Sequence, residues 1–108
     1  MASVTLDGRK LTDMPAFHRE CALAFGLPEF YGRNVSALID CLSGVRDNDG
    51  MSRFALAPDE VLDIELRDAS IVSHEAPAVL AALEDTVDEV NARHSERGAV
   101  PPLRLVLV

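Results

Sequence analysis

One carboxylate in this sequence is placed where it can meet a partner, and its neighbours indicate how. In Leu27–Gly44, LPEFYGRNVSALIDCLSG, a proline and an aromatic pair lead into a Gly32–Arg33–Asn34 turn. Val35, Leu38, Ile39 and Leu42 then recur at i, i+3, i+4 and i+7, the spacing of a helix with one apolar face. Arg33, Ser36, Asp40 and Ser43 fall on the opposite face. A helix docked by its apolar stripe holds Asp40 nearly opposite the core, with the carboxylate outward. Fixed in that way, a carboxylate accepts charge-assisted hydrogen bonds, two at once from an arginine. The plain alternative is a short amphipathic helix with a solvated aspartate.

That chemistry is binding rather than turnover. Asp40 has no second carboxylate on its own helix face to complete an acid–base pair. The chain has no glycine-rich phosphate loop and no grouping of Ser or Cys with His above chance. His18, His74 and His94 are scattered and read as surface or cap residues. His18 and Cys21 lie three apart on one expected helix, but nothing nearby completes a tetrahedral metal set, so both read as structural. Asp47-Asn48-Asp49-Gly50 imitates a calcium loop, yet the register fails. With Gly50 at the sixth position of such a loop, its first and twelfth fall on Val45 and Leu56. No metal, no cofactor and no enzymatic activity are expected.

Eighteen acidic residues against ten basic ones give a formal charge of −8. That disfavours direct contact with nucleic acid, whose phosphates require Lys and Arg, and suits a partner with a cationic cleft. The N-terminus, MASVTLDGRK, lacks the basic start and apolar centre of a secretory signal, and no apolar run approaches the ~20 residues of a membrane span. A cytoplasmic protein that does not engage membranes is expected. Cys21 and Cys41, the only cysteines, then read as reduced thiols. At 108 residues the chain is expected to form a single domain, 1–108, with a mostly aliphatic core because Trp is absent.

The elements that must hold Asp40 are legible as periodicities. Residues 3–6 alternate as a strand with Val4 and Leu6 inward. Thr12 or Asp13 caps a helix whose stripe is Met14, Phe17, Cys21 and Ala24, stopped by Gly26 and Pro28. Asn34 caps the Asp40 helix. Residues 45–59 read as a long surface loop pinned by Phe54-Ala55-Leu56. Val61–Leu66 alternates again, with Leu62, Ile64 and Leu66 inward. A long helix is expected with Ser73 as cap, a stripe of Ala76, Leu80, Leu83, Val87 and Val90, an acidic outer side, and an end at Gly98. Leu103–Val108 is a final strand. Crossover connections favour parallel strands, so the expected architecture is α/β: a three-stranded parallel sheet with three to four helices packed on it.

Leu27-Pro28-Glu29-Phe30-Tyr31-Gly32, Asn34 and Asp40-Cys41-Leu42-Ser43-Gly44 also form a motif within the contiguous stretch 27–44. It resembles the signature of the barstar family, small intracellular ribonuclease inhibitors. The resemblance implies the same architecture and a helix that plugs a nuclease active site, with Asp40 as the central contact. It places Phe30 and Asn34 among the loop contacts, and Ser36, Ile39, Ser43, Gly44 and Val45 along the contact surface. The resemblance also implies an acidic contact from the last long helix, which Asp85, or Glu84, is expected to supply. Ser36 stands where a second acidic residue is expected, and Ile39 and Val45 replace tryptophans, which bears on the target's identity. The implied partner is a small extracellular-type microbial ribonuclease of guanyl preference, bound 1:1 by a chain that is monomeric when free. An immunity protein for another toxin nuclease, or an acidic adaptor of the same fold with a non-ribonuclease partner, remain alternatives.

Overall fold

The computed structural model describes residues 2–108. Strand β1 (Ala2–Asp7) leads through a short 3-10 turn into α1 (Met14–Phe25) and α2 (Val35–Ser43), followed by β2 (Leu62–Arg67), α3 (Ala69–Glu75), α4 (Pro77–Glu96) and β3 (Leu103–Leu107). The sheet runs β1-β2-β3 and is parallel throughout, with Ala2 opposite Leu62 and Leu62 opposite Leu103. Both crossovers step the same way across the sheet. Parallel crossovers are right-handed, so both sets of helices gather on one face.

Strand alternation follows from that layering. Val4, Leu6, Leu62, Ile64, Leu66 and Leu103 are buried under the helices. Ser3, Thr5, Asp63, Glu65, Arg67 and Arg104 belong to the other face. That outer face is kept polar by cross-strand and local pairs. Arg104 reaches both Asp63 oxygens, at 2.8 and 2.7 Å, and Arg67 donates to Glu65 at 2.8 Å. Most parallel sheets are covered on both faces, and this one is not. Gly8 closes the end of β1 against β2. A Cβ there would lie 2.3 Å from the Arg67 carbonyl oxygen, so no side chain fits.

Asp13 caps α1 by accepting the Ala16 N–H at 2.9 Å, and Gly26 ends it with φ 62°. Phe17, Phe25, Leu38, Leu42, Ile64 and Leu66 meet in the core with no exposed surface. The 45–59 segment is tied down at several places, among them Arg46, whose guanidinium donates to the Val100 and Glu60 carbonyls. Arg53 donates from its backbone to the Phe25 carbonyl and from Nε to that of Ala24, each at 2.8 Å, covering the C-terminal end of α1. Leu56 is buried and its N–H donates to the Val45 carbonyl at 2.7 Å.

The expected long helix is two. Ser73 lies inside α3 rather than at a cap, and Ala76 breaks the run with φ −140° and ψ 60°. Pro77 is the reason: it has no N–H to continue the ladder and drives the residue before it out of the helical region. The buried stripe of α4 accordingly comprises Val79, Ala82, Leu83, Thr86, Val87 and Val90, with Ala76 and Leu80 only half-buried.

Candidate functional site

Asn34 starts the central helix by accepting the Ala37 N–H at 2.8 Å while its amide donates to the Gly32 carbonyl at 3.2 Å. Asn34→Ala should therefore lower stability by about 1 kcal/mol, the usual cost of a lost cap, as read from urea denaturation. Leu38, Cys41 and Leu42 of α2 are buried, and Val35 and Ile39 are half-buried. With this face docked, α2 lies along α4 and the Asp40 side chain is left 67% exposed.

Asp40 is not a solitary carboxylate. Arg93 of α4 donates from Nη1 to Asp40 Oδ1 at 3.0 Å and to Ser43 Oγ at 3.3 Å. Its Nε lies 3.5 Å from Glu89. Ser43 in turn donates its hydroxyl to the Ile39 carbonyl at 2.7 Å. The pair offsets an unfavourable placement, because Asp40 sits near the C-terminal end of α2, where the helix already carries partial negative charge. His94, one residue on, fixes the same junction from below. It is 4% exposed, and its Nε2–H donates to the Ser43 carbonyl at 2.8 Å.

Two depressions flank the Asp40–Arg93 pair. Between α2 and α4 runs a cleft of about 620 Å³, with Ser36 and Ile39 on one wall and Asp85, Asp88, Glu89 and Ala92 on the other. At the C-terminal end of α2 a second hollow of about 450 Å³ gathers Asp40, Ser43, Gly44, Asp47, Asp49 and Glu96, with Arg97 at its rim. Arg93 borders both. Across the two, seven carboxylates face two guanidinium groups. Asp49 joins by folding over Gly44, where a Cβ would lie 2.2 Å from its Oδ2. Such a surface can accept many hydrogen bonds from cations and offers almost no donors to phosphate.

The structure places Ser36, Ile39 and Asp85 on the cleft and Asp40 and Ser43 on the second hollow, with Gly44 as its buried floor. Phe30 stands 75% exposed on the approach loop, beside the exposed Asn34 cap. Val45 is a correction. It has no exposed surface and packs in the core, because the chain turns inward after Gly44, so it cannot be a surface contact. Glu84 points elsewhere too, bordering a hollow beside β3. Sequence reasoning missed Arg93 and left Asp47, Asp49, Asp88 and Glu89 as solvated charges. A signal existed for Arg93: Asp85, Glu89 and Arg93 recur every fourth residue, one row of a helix.

His18 is likewise a core residue rather than a surface one. It is 5% exposed, and its Nδ1 lies 2.5 Å from the Tyr31 hydroxyl. It borders an apolar hollow of about 530 Å³ lined by Met14, Pro15, Val35, Arg33 and Asn34. Burial, helped by the Arg33 charge, holds its pKa below the usual 6.5. The unfolded chain takes that proton near pH 6.5 and the folded chain resists it. The stability owed to neutral His18 is thus complete above pH 6.5 and lost as the pH falls below it. His18→Gln should show a smaller fall in melting temperature than the native chain between about pH 7.5 and about 5.5. Burial also pushes the Cys21 thiol up to about 12 and raises that of Cys41, so both free thiols stay protonated and unreactive.

Among the described residues, no group of His, Cys, Asp or Glu has the arrangement to hold a metal ion, and no helix is long and apolar enough to cross a membrane. A family model described as "Barstar (barnase inhibitor)" matches residues 1–106. The chain is also similar to a protein of Bacillus subtilis (strain 168) named "Putative ribonuclease inhibitor YrdF", with 36% identity over 44 residues. That match covers 41% of this chain and 48% of the relative, about half its length.

Proposed function

The chain belongs to the barstar family, and from that premise we propose that it inhibits a small secreted guanyl-preferring ribonuclease by seating the α2–α4 face in the enzyme's active site. The observation that carries the reading is Asp40, exposed on a helix whose other side is locked into the core, with six further carboxylates on the two adjoining depressions. A ribonuclease holds the RNA phosphates with Lys, Arg and His. Carboxylates set at those places take over the same donors and exclude the substrate.

Because α2 is packed before it binds, little ordering is lost on association. The concentration of charge steers encounter with a cationic cleft, so association should slow as salt is added. The inhibitor acts as a 1:1 plug, and performs no chemistry of its own. In its producer it would sit in the cytoplasm and neutralise enzyme that has not yet been exported.

A second reading follows from Ser36 and Ile39, which leave the α2 wall of the cleft without an acidic or large flat anchor. The acidic weight sits instead on α4 and the 45–59 segment, through Asp88, Glu89, Asp47 and Asp49. That shift favours an immunity protein for a different nuclease of similar charge. RNA-cleavage titrations against a panel of small microbial ribonucleases separate the two. A linear fall in activity to zero at one equivalent supports the first. Full activity across the panel removes it.

A further inference from the structure

We infer that Arg93 is a specificity residue of the docking face, requiring the partner to place a carboxylate beside the cation that meets Asp40. The inference rests on the reading that the α2–α4 face enters a ribonuclease active site.

Arg93 is a cation at the middle of an acidic surface, and it borders both depressions. Its Nη1 is engaged by Asp40 and Ser43, while among the described residues Nη2 meets no hydrogen-bond acceptor. The side chain is 42% exposed. Asp40 likewise commits only Oδ1 to the pair. What faces outward is therefore an acceptor next to a donor, not a bare carboxylate.

A docked partner removes water from both groups. A cation of the partner satisfies Asp40, but a partner offering only cations would press like charge against Arg93 and leave its outer N–H groups without acceptors, a penalty once water is removed. Turning the guanidinium away would give up its contacts with Asp40, Ser43 and Glu89. The chemistry that satisfies the pair is a carboxylate adjacent to a cation. Ribonucleases whose acid–base pair joins a glutamate to a histidine present that arrangement, and those that use two histidines do not. Arg93 then captures the general base while Asp40 occupies the phosphate site.

The test is calorimetric binding to a ribonuclease with a Glu–His pair and to the same enzyme with that glutamate replaced by glutamine. Arg93→Met should weaken binding to the first by about tenfold or more, and to the second by less than about twofold, the non-additivity of groups in direct contact. Arg93→Lys keeps the charge without the fork and should fall between. Equal losses against both enzymes, or tighter binding by Arg93→Met, would overturn the assignment. Asp40→Ala, run in parallel, separates the two levels. If it loses affinity while Arg93→Met shows no coupling, the assignment fails and the docking reading stands. If it loses none, or the native chain binds neither enzyme, the docking reading fails and the assignment with it.

Discussion

Asp40→Ala should end stoichiometric inhibition of the target ribonuclease while leaving the protein as stable as before. On the proposed docking the carboxylate is buried against enzyme cations, and removing one side of a buried charge pair costs about 3–5 kcal/mol. That weakens binding by roughly 10²–10³-fold or more. In the free protein the same side chain is 67% exposed and its Arg93 partner 42% exposed, so their ion pair contributes at most about 1 kcal/mol. Removing a negative charge from the C-terminal end of α2 returns part of that. Inhibition titrations and thermal melts of the two proteins check both halves. Inhibition that survives the substitution moves the contact to another face. Asp40→Asn, which keeps the shape, should lose most of the affinity as well, since the charge is what the enzyme's cations read.

Leu42→Ala should do the opposite. Leu42 lies two residues beyond Asp40 on the same helix, and none of its side chain is exposed. Cutting a buried leucine to alanine costs about 2–5 kcal/mol, the larger values where the surroundings cannot collapse into the space. Domains of this size have only about 5–15 kcal/mol in total. The melting temperature should drop by roughly 8–40 °C, taking about 4–8 °C per kcal/mol. Urea denaturation checks the stability. At low temperature, where the chain is still folded, inhibition should stay near native, because the outward face is unchanged. A loss of affinity equal to that of Asp40→Ala would mean that α2 is not rigidly docked on its apolar side.

These two residues also show what could be read from the sequence. The α2 period separates Asp40 from Leu42 without any knowledge of the fold, and the caps at Asp13, Gly26 and Asn34 are local chemistry that tertiary contacts did not override. The strands and their parallel order followed from alternation and long connections. What failed depended on contacts remote in sequence. The Asp40–Arg93 pair joins residues 53 apart, and nothing in either helix alone says that they meet. Val45 stands just past a helix end, where periodicity says nothing about direction, and the chain turned it inward. His18 and His94 are polar residues that became core because Tyr31 and the Ser43 carbonyl were there to satisfy them. The break at Ala76–Pro77 was readable, because a proline within a helical pattern marks a boundary as well as a tolerated first turn.

The sheet sets a condition on timing. β1 has no neighbour until β2 exists, because Ala2 pairs with Leu62, and the face carrying Asp40 has no second wall until α4 has packed beside it. Ribosomes add about 5–20 residues per second. For several seconds of each round of synthesis, then, a nascent chain displays the Asp40 motif with neither Arg93 nor the acidic row of α4. Such parallel, long-range pairings are also slow to form once the chain is released. Under the proposed function, a cell making this chain and a target nuclease together could not rely on half-made copies. It would have to keep a stock of finished protein ahead of the enzyme, so the safety margin would be set by the order in which the two are made as much as by affinity.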